Sequence, residues 1–126
     1  MKAAGTVAAV ALVGMIASGG AMADGNELLD GCQQAVRIMD DPNAKNVDHL
    51  GVGQCFGMLE GVRTTLMVVN EALPPKSRLC FPDGGISNGQ SVRIVTKYLR
   101  DHPAQLHQPG TFLVISAYQQ AFPCKK

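Results

Sequence analysis

Apolar positions recur at helical spacing in four stretches of this chain, and no stretch alternates with the period of two that a half-buried strand requires. The first stretch runs from Asn26 to Met39, where Leu28, Leu29, Cys32, Ala35, Val36 and Met39 share one face. Asp24 stands where a helix cap is needed, and Glu27 falls in the first turn, where negative charge suits the helix dipole. Asp40-Asp41-Pro42-Asn43 ends this helix, because proline restricts the residue before it. The second stretch runs from Asp48 to Ala72, with Leu50, Cys55, Leu59, Val62, Leu66, Val69 and Leu73 along one seam, and Pro74-Pro75 stops it. Gly53, Gly57 and Gly61 recur on it every four residues and so share a face. Each glycine costs up to about 1 kcal/mol in a helix interior relative to alanine. Their alignment predicts close packing, either against another helix of the same chain or across a homodimer seam.

The loop from Pro74 to Ile86 carries Lys76, Ser77, Arg78, Cys80, Asp83, Gly84 and Gly85. Ser87-Asn88-Gly89-Gln90 then reads as a capping box opening a third helix, which runs to Asp101 with Val92, Val95, Tyr98 and Leu99 inward. His102-Pro103 breaks it. A fourth helix begins near Pro109, a residue suited to a first helical position, with Leu113, Val114, Ala117, Tyr118 and Ala121 inward. Pro123 ends it, just before Cys124. The fold class expected is all-α, a small bundle of about four helices.

The segment ahead of the first helix has a different character. Lys2 gives a positive start, Ala8 to Ile16 forms an apolar centre, and Ala21-Met22-Ala23 offers a small-x-small site. That order is a secretory signal peptide, with cleavage expected after Ala23. The apolar run is shorter than the roughly 20 residues that span a bilayer. The residue after the cut is Asp24 rather than a cysteine, so a soluble, periplasmic product is expected, with no membrane association after cleavage. Residues 24–126 then form one domain of about 100 residues. Without Lys2 its basic and acidic residues balance. A neutral domain lacks the electrostatic footprint of a nucleic-acid partner. Aromatic content is 5% and there is no Trp, so the core is small and aliphatic and gains from covalent staples in an oxidising compartment.

Four cysteines, Cys32, Cys55, Cys80 and Cys124, allow three pairings. Helix boundaries favour one of them. Cys32 and Cys55 lie at similar distances from the turn between the first two helices, so an antiparallel pair brings them together. Cys80 precedes the third helix and Cys124 follows the fourth, which places both at one end if those helices are antiparallel. The expected bridges are Cys32–Cys55 and Cys80–Cys124.

Candidate chemistry is sparse. There is no Cys-x-x-Cys redox pair and no Cys-x-x-Cys-His haem attachment. His49, His102 and His107 lack the close spacing to cysteines that zinc sites use. No carboxylate pair, no Gly-x-Ser-x-Gly and no phosphate loop stands out. No cofactor, metal or catalytic residue is expected, and the chain reads as a non-enzyme.

Three segments carry a family resemblance. They are Cys55-Phe56-Gly57-Met58-Leu59-Glu60-Gly61, then Cys80-Phe81-Pro82-Asp83-Gly84-Gly85-Ile86-Ser87-Asn88-Gly89-Gln90, and the run from Val95 through Tyr98-Leu99, His102-Pro103 and Pro109 to Ala121-Phe122-Pro123-Cys124. Together they resemble the Rap/Tai family of type VI secretion immunity proteins, with Met58 standing where an aromatic residue is usual. The resemblance implies an exported, all-helical, disulfide-bonded protein that binds and blocks a peptidoglycan-cleaving amidase effector, in some members as a homodimer. The irregular polar segments would then form the inhibitory surface: Lys76, Ser77, Arg78 and Asp83 in the long loop, and His102, His107 and Gln108 in the later turn. A small periplasmic acid-stress chaperone and an orphan family member with another binding role are the alternatives.

Overall fold

The computed structural model describes residues 23–125, so the expected signal segment up to Met22 lies outside the described residues. Four helices form: α1 (Gly25–Asp40), α2 (His49–Val69), α3 (Asn88–Asp101) and α4 (Gly110–Ala121). Short 3-10 turns follow α2 at Asn70–Ala72 and occupy Pro75–Ser77 and Pro103–Gln105. The helix starts have the expected chemistry. The Asp24 carboxylate accepts from the Asn26 and Glu27 amides, Asp48 accepts from Leu50 N, and the Ser87 hydroxyl accepts from Gln90 N. The Gln90 side chain does not return the bond, so only half of the capping box forms. Pro109 caps α4 from outside rather than occupying its first turn.

The core is aliphatic and small. Cys32, Ala35, Val95, Leu99, Leu113, Val114, Ala117 and Tyr118 are fully buried, with Leu28, Cys55, Leu59 and Val92 nearly so. Tyr118 is the largest of these, and its hydroxyl is satisfied inside the core. It pairs with Ser91 Oγ from α3 and donates to the Leu59 carbonyl of α2 at 3.2 Å. Three helices therefore meet at one buried polar point. Burial pushes the Tyr118 hydroxyl above its ordinary pKa, and the Ser91 contact opposes that only in part.

Backbones come closest at glycines other than the three singled out by spacing. A Cβ at Gly31 would lie 2.5 Å from the Gly51 carbonyl oxygen, which marks where α1 crosses α2. Gly25 and Gly110 are also tight, a Cβ on either meeting a backbone oxygen at 2.8 Å, where the start of α1 meets the start of α4. Gly53, Gly57 and Gly61 are exposed, and a Cβ on any of them would meet nothing within 4 Å. The close intramolecular packing expected there is absent. The reason is helical phase: Gly57 lies two residues from both Cys55 and Leu59, a rotation of about 200°. The core-facing side of α2 is thus opposite its glycine side.

Two other inward assignments need correction. Leu50 is 73% exposed, because α1 meets the first turn of α2 at Gly51, one residue further round. Ala121 is exposed at the end of α4, where Phe122 turns in and packs on Phe81 at 5.0 Å between ring centroids.

Both expected disulfides are present, Cys32–Cys55 between α1 and α2 and Cys80–Cys124 between the loop before α3 and the tail after α4. The second bridge confirms that α3 and α4 run antiparallel. It is reinforced by a backbone bond from Cys80 N to Phe122 O at 2.9 Å and an antiparallel bridge between Leu79 and Pro123. The opposite end of this helix pair holds the segment that leads into α1. Gly25 N donates to Gln108 O, Asn26 N to Leu106 O, and Gly110 N to Ala23 O.

Candidate partner-binding surface

The two loop segments expected to carry recognition lie at opposite ends of α3. Fourteen residues of helix separate them by about 20 Å. They do not form one patch.

The segment before α3 is held from behind and open in front. Asn70 ends α2 and grips Leu79 in both directions, its Nδ2 donating to Leu79 O and its Oδ1 accepting from Leu79 N, each at 2.9 Å. Arg78 reaches back over the 3-10 turn, with Nε donating to Leu73 O at 3.0 Å and Nη2 to Glu71 O at 2.9 Å. Leu79 is buried, and Phe81 packs edge-on against Tyr118. Lys76 is exposed and Ser77 half-buried. Asp83 lies at the tip, exposed, ahead of Gly84 and Gly85 at φ 85° and 76°. Those left-handed positions suit glycine, and Gly85 N closes the turn on Pro82 O.

Lys76 and Arg78 come together with Lys125 around a cavity of about 530 Å³. Cys80 and Cys124 also line it, and Glu71 is its acidic member. Asp83 lies outside it.

The segment after α3 is mostly occupied with structure. His102 stacks on Tyr98 at 4.1 Å, and its Nδ1 lies 2.7 Å from the Tyr98 carbonyl, so it finishes α3. The Gln108 carbonyl accepts the Gly25 amide. His107 is the exposed member of the three.

The residue pattern alone missed a third surface on the outer side of α2. Met67 and Val68 are 56% and 79% exposed, and they line a cavity of about 440 Å³ with Glu60, Arg63, Thr64, Phe81 and Ile86. Arg63 ties this region together, bonding Glu60, the Ile86 carbonyl and Asn88. A readable signal existed. The mean hydropathy of α2 is high and its apolar residues run all round it, so one helix face cannot hold them all.

Among the described residues, no His, Cys, Asp and Glu group could hold a metal ion, and no helix is long and apolar enough to cross a membrane. The molecule is thus a small all-helical domain, stapled twice, with its irregular segments fixed at the two ends of one helix. The family model for Rap1a immunity proteins matches residues 24–124, and the chain belongs to that family. Comparison with curated proteins and with solved structures returned no match.

Proposed function

We propose that this chain is a periplasmic type VI immunity protein that binds a peptidoglycan-cleaving amidase effector and occludes its active site. Family membership over residues 24–124 is the observation that carries the reading. The match begins at Asp24, the residue that cleavage after Ala23 would leave first, which supports residues 1–23 as a signal peptide. The protein acts by contact rather than by catalysis.

The segment from Lys76 to Gly85 is the inhibitory surface we favour. Its base is fixed by Asn70, Arg78 and a disulfide, while Lys76 and Asp83 project into solvent. A loop already held in shape loses less entropy on binding. The His102 ring and the Gln108 backbone are committed to the fold, which leaves His107 as the exposed histidine of the other end.

The test is inhibition of a purified amidase encoded beside this gene. Peptidoglycan hydrolysis should stop at stoichiometric protein, and Lys76→Glu with Asp83→Lys should weaken binding by about 1–3 kcal/mol without loss of helix content. An amidase that neither binds nor is inhibited refutes the immunity reading. A homodimer would use the open Gly53, Gly57 and Gly61 face, where the lack of side chains lets a second helix approach. Sedimentation should then show Gly57→Leu as an intact monomer.

A further inference from the structure

The two disulfides occupy opposite environments. Cys32 and Cys55 are 0% and 1% exposed, sealed where α1 crosses α2. Cys80 is exposed, Cys124 is half-buried, and both open onto the 530 Å³ cavity. Among the described residues, that cavity presents Lys76, Arg78 and Lys125 against the carboxylate of Glu71, which lies 3.7 Å from Arg78. Thiol–disulfide exchange needs an attacking thiolate to reach a sulfur, and its leaving group is a second thiolate. Access and local positive charge both favour that reaction. One bridge has both features here, and the other is closed off by packed helix.

We propose that Cys80–Cys124 is a thiol–disulfide exchange site, open to a dithiol reductant in the folded protein, while Cys32–Cys55 is not. A thiolate entering the cavity bonds to Cys80 Sγ, the Cys80–Cys124 bond breaks, and Cys124 leaves as a thiolate that takes a proton from water. The second thiol of the dithiol then attacks its own sulfur in the mixed disulfide and releases Cys80. Two electrons and two protons pass to the protein, and the reductant becomes a disulfide.

The structural consequence is local. Asn70 still grips Leu79, and Arg78 still holds Glu71 and Leu73, so the base of the loop stays in place. What loses its covalent tether is the tail after Pro123; Cys80 N still donates to Phe122 O and Phe81 still packs on Tyr118, so the loosening is confined to the face that Cys80 and the tail share. Reduction therefore loosens that face without unfolding the bundle.

The experiment treats the folded, oxidised protein with graded dithiothreitol, alkylates the free thiols and maps the peptides. Cys80 and Cys124 should be modified at least about tenfold faster than Cys32 and Cys55, with helix content unchanged. Replacing Lys76 and Lys125 by glutamine should slow the first reaction severalfold at low salt and much less in high salt. A Cys80→Ser/Cys124→Ser variant should take up no label under the same conditions. Joint labelling of all four cysteines would mean that reduction proceeds through global unfolding and would overturn the proposal. So would labelling of Cys32 and Cys55 first, or no labelling short of denaturation. None of these readouts involves an amidase, so the result stands apart from the immunity reading.

Discussion

At the scale of single residues, identical side chains have opposite meanings according to which side of a helix they occupy. Gly31→Ala would drive a Cβ to within 2.5 Å of the Gly51 carbonyl, a backbone atom that cannot move aside cheaply. Gly57→Ala would place its Cβ in open space. Urea titrations should find the first variant destabilised by about 2 kcal/mol or more, as overpacking is. The second should be stabilised by up to about 1 kcal/mol through helix propensity alone. Loss of stability in Gly57→Ala would show that its face is covered after all. Tyr118→Phe makes a different point. It leaves the ring in place but strips Ser91 Oγ of its core partner, and should cost about 1–3 kcal/mol. Unchanged stability in that variant would mean the buried contact contributes nothing net.

At the scale of helices, much was legible from spacing and punctuation. The ends of α1 and α3 and the start of α2 fall where Asp24, Pro42, Asp48, Ser87 and Pro103 place them, because caps and prolines act through local backbone chemistry, whereas α2 ends at Val69 and a 3-10 turn carries the chain on to Ala72 ahead of Pro74. The disulfide pairing followed from those ends. What spacing could not reveal was which side of α2 faces the core. Its apolar residues run all round, so the periodicity underdetermines the phase, and Leu50, inward by spacing, lies outward. The candidate loops were readable as loops, but not that His102 would be used up in capping α3, since that depends on its stacking on Tyr98. Helix α1 also carries a pH dependence. Hydrogen bonds from the Glu27 and Asn26 amides hold the Asp24 carboxyl below its ordinary pKa, with His107 adding a smaller attraction. A carboxylate with a lowered folded pKa stabilises while ionised. That contribution is complete above the ordinary aspartate range and is lost as pH falls through the folded value. Asp24→Ala should therefore be less stable than the parent at neutral pH, and the difference should narrow on acidification. A gap independent of pH would exclude the cap as its source.

At the scale of the whole molecule, the two staples compete in a way that burial decides. Loop-closure entropy favours Cys80–Cys124, which spans 44 residues against 23 for Cys32–Cys55. A doubling of loop length is worth only about 0.6 kcal/mol. Removing two fully buried sulfurs costs more than that, about 1 kcal/mol each. Cys32→Ala/Cys55→Ala should thus lower stability more than Cys80→Ser/Cys124→Ser, reversing the order that loop length alone implies. Denaturant midpoints of the two double variants check this. In a domain of this size total stability is about 5–15 kcal/mol, so either loss is a large share.

The bond from Gly110 N to Ala23 O gives one corner of the fold an unusual dependence on processing. Gly110 is buried and opens α4, while Ala23 is the last residue of the expected leader. A cut after Ala23 takes that carbonyl away and puts a free ammonium group beside the Asp24 carboxylate. The uncut polypeptide and the released domain would then differ in how the final helix is seated. Export would then remove one of the backbone bonds that seat α4 as well as delivering the domain.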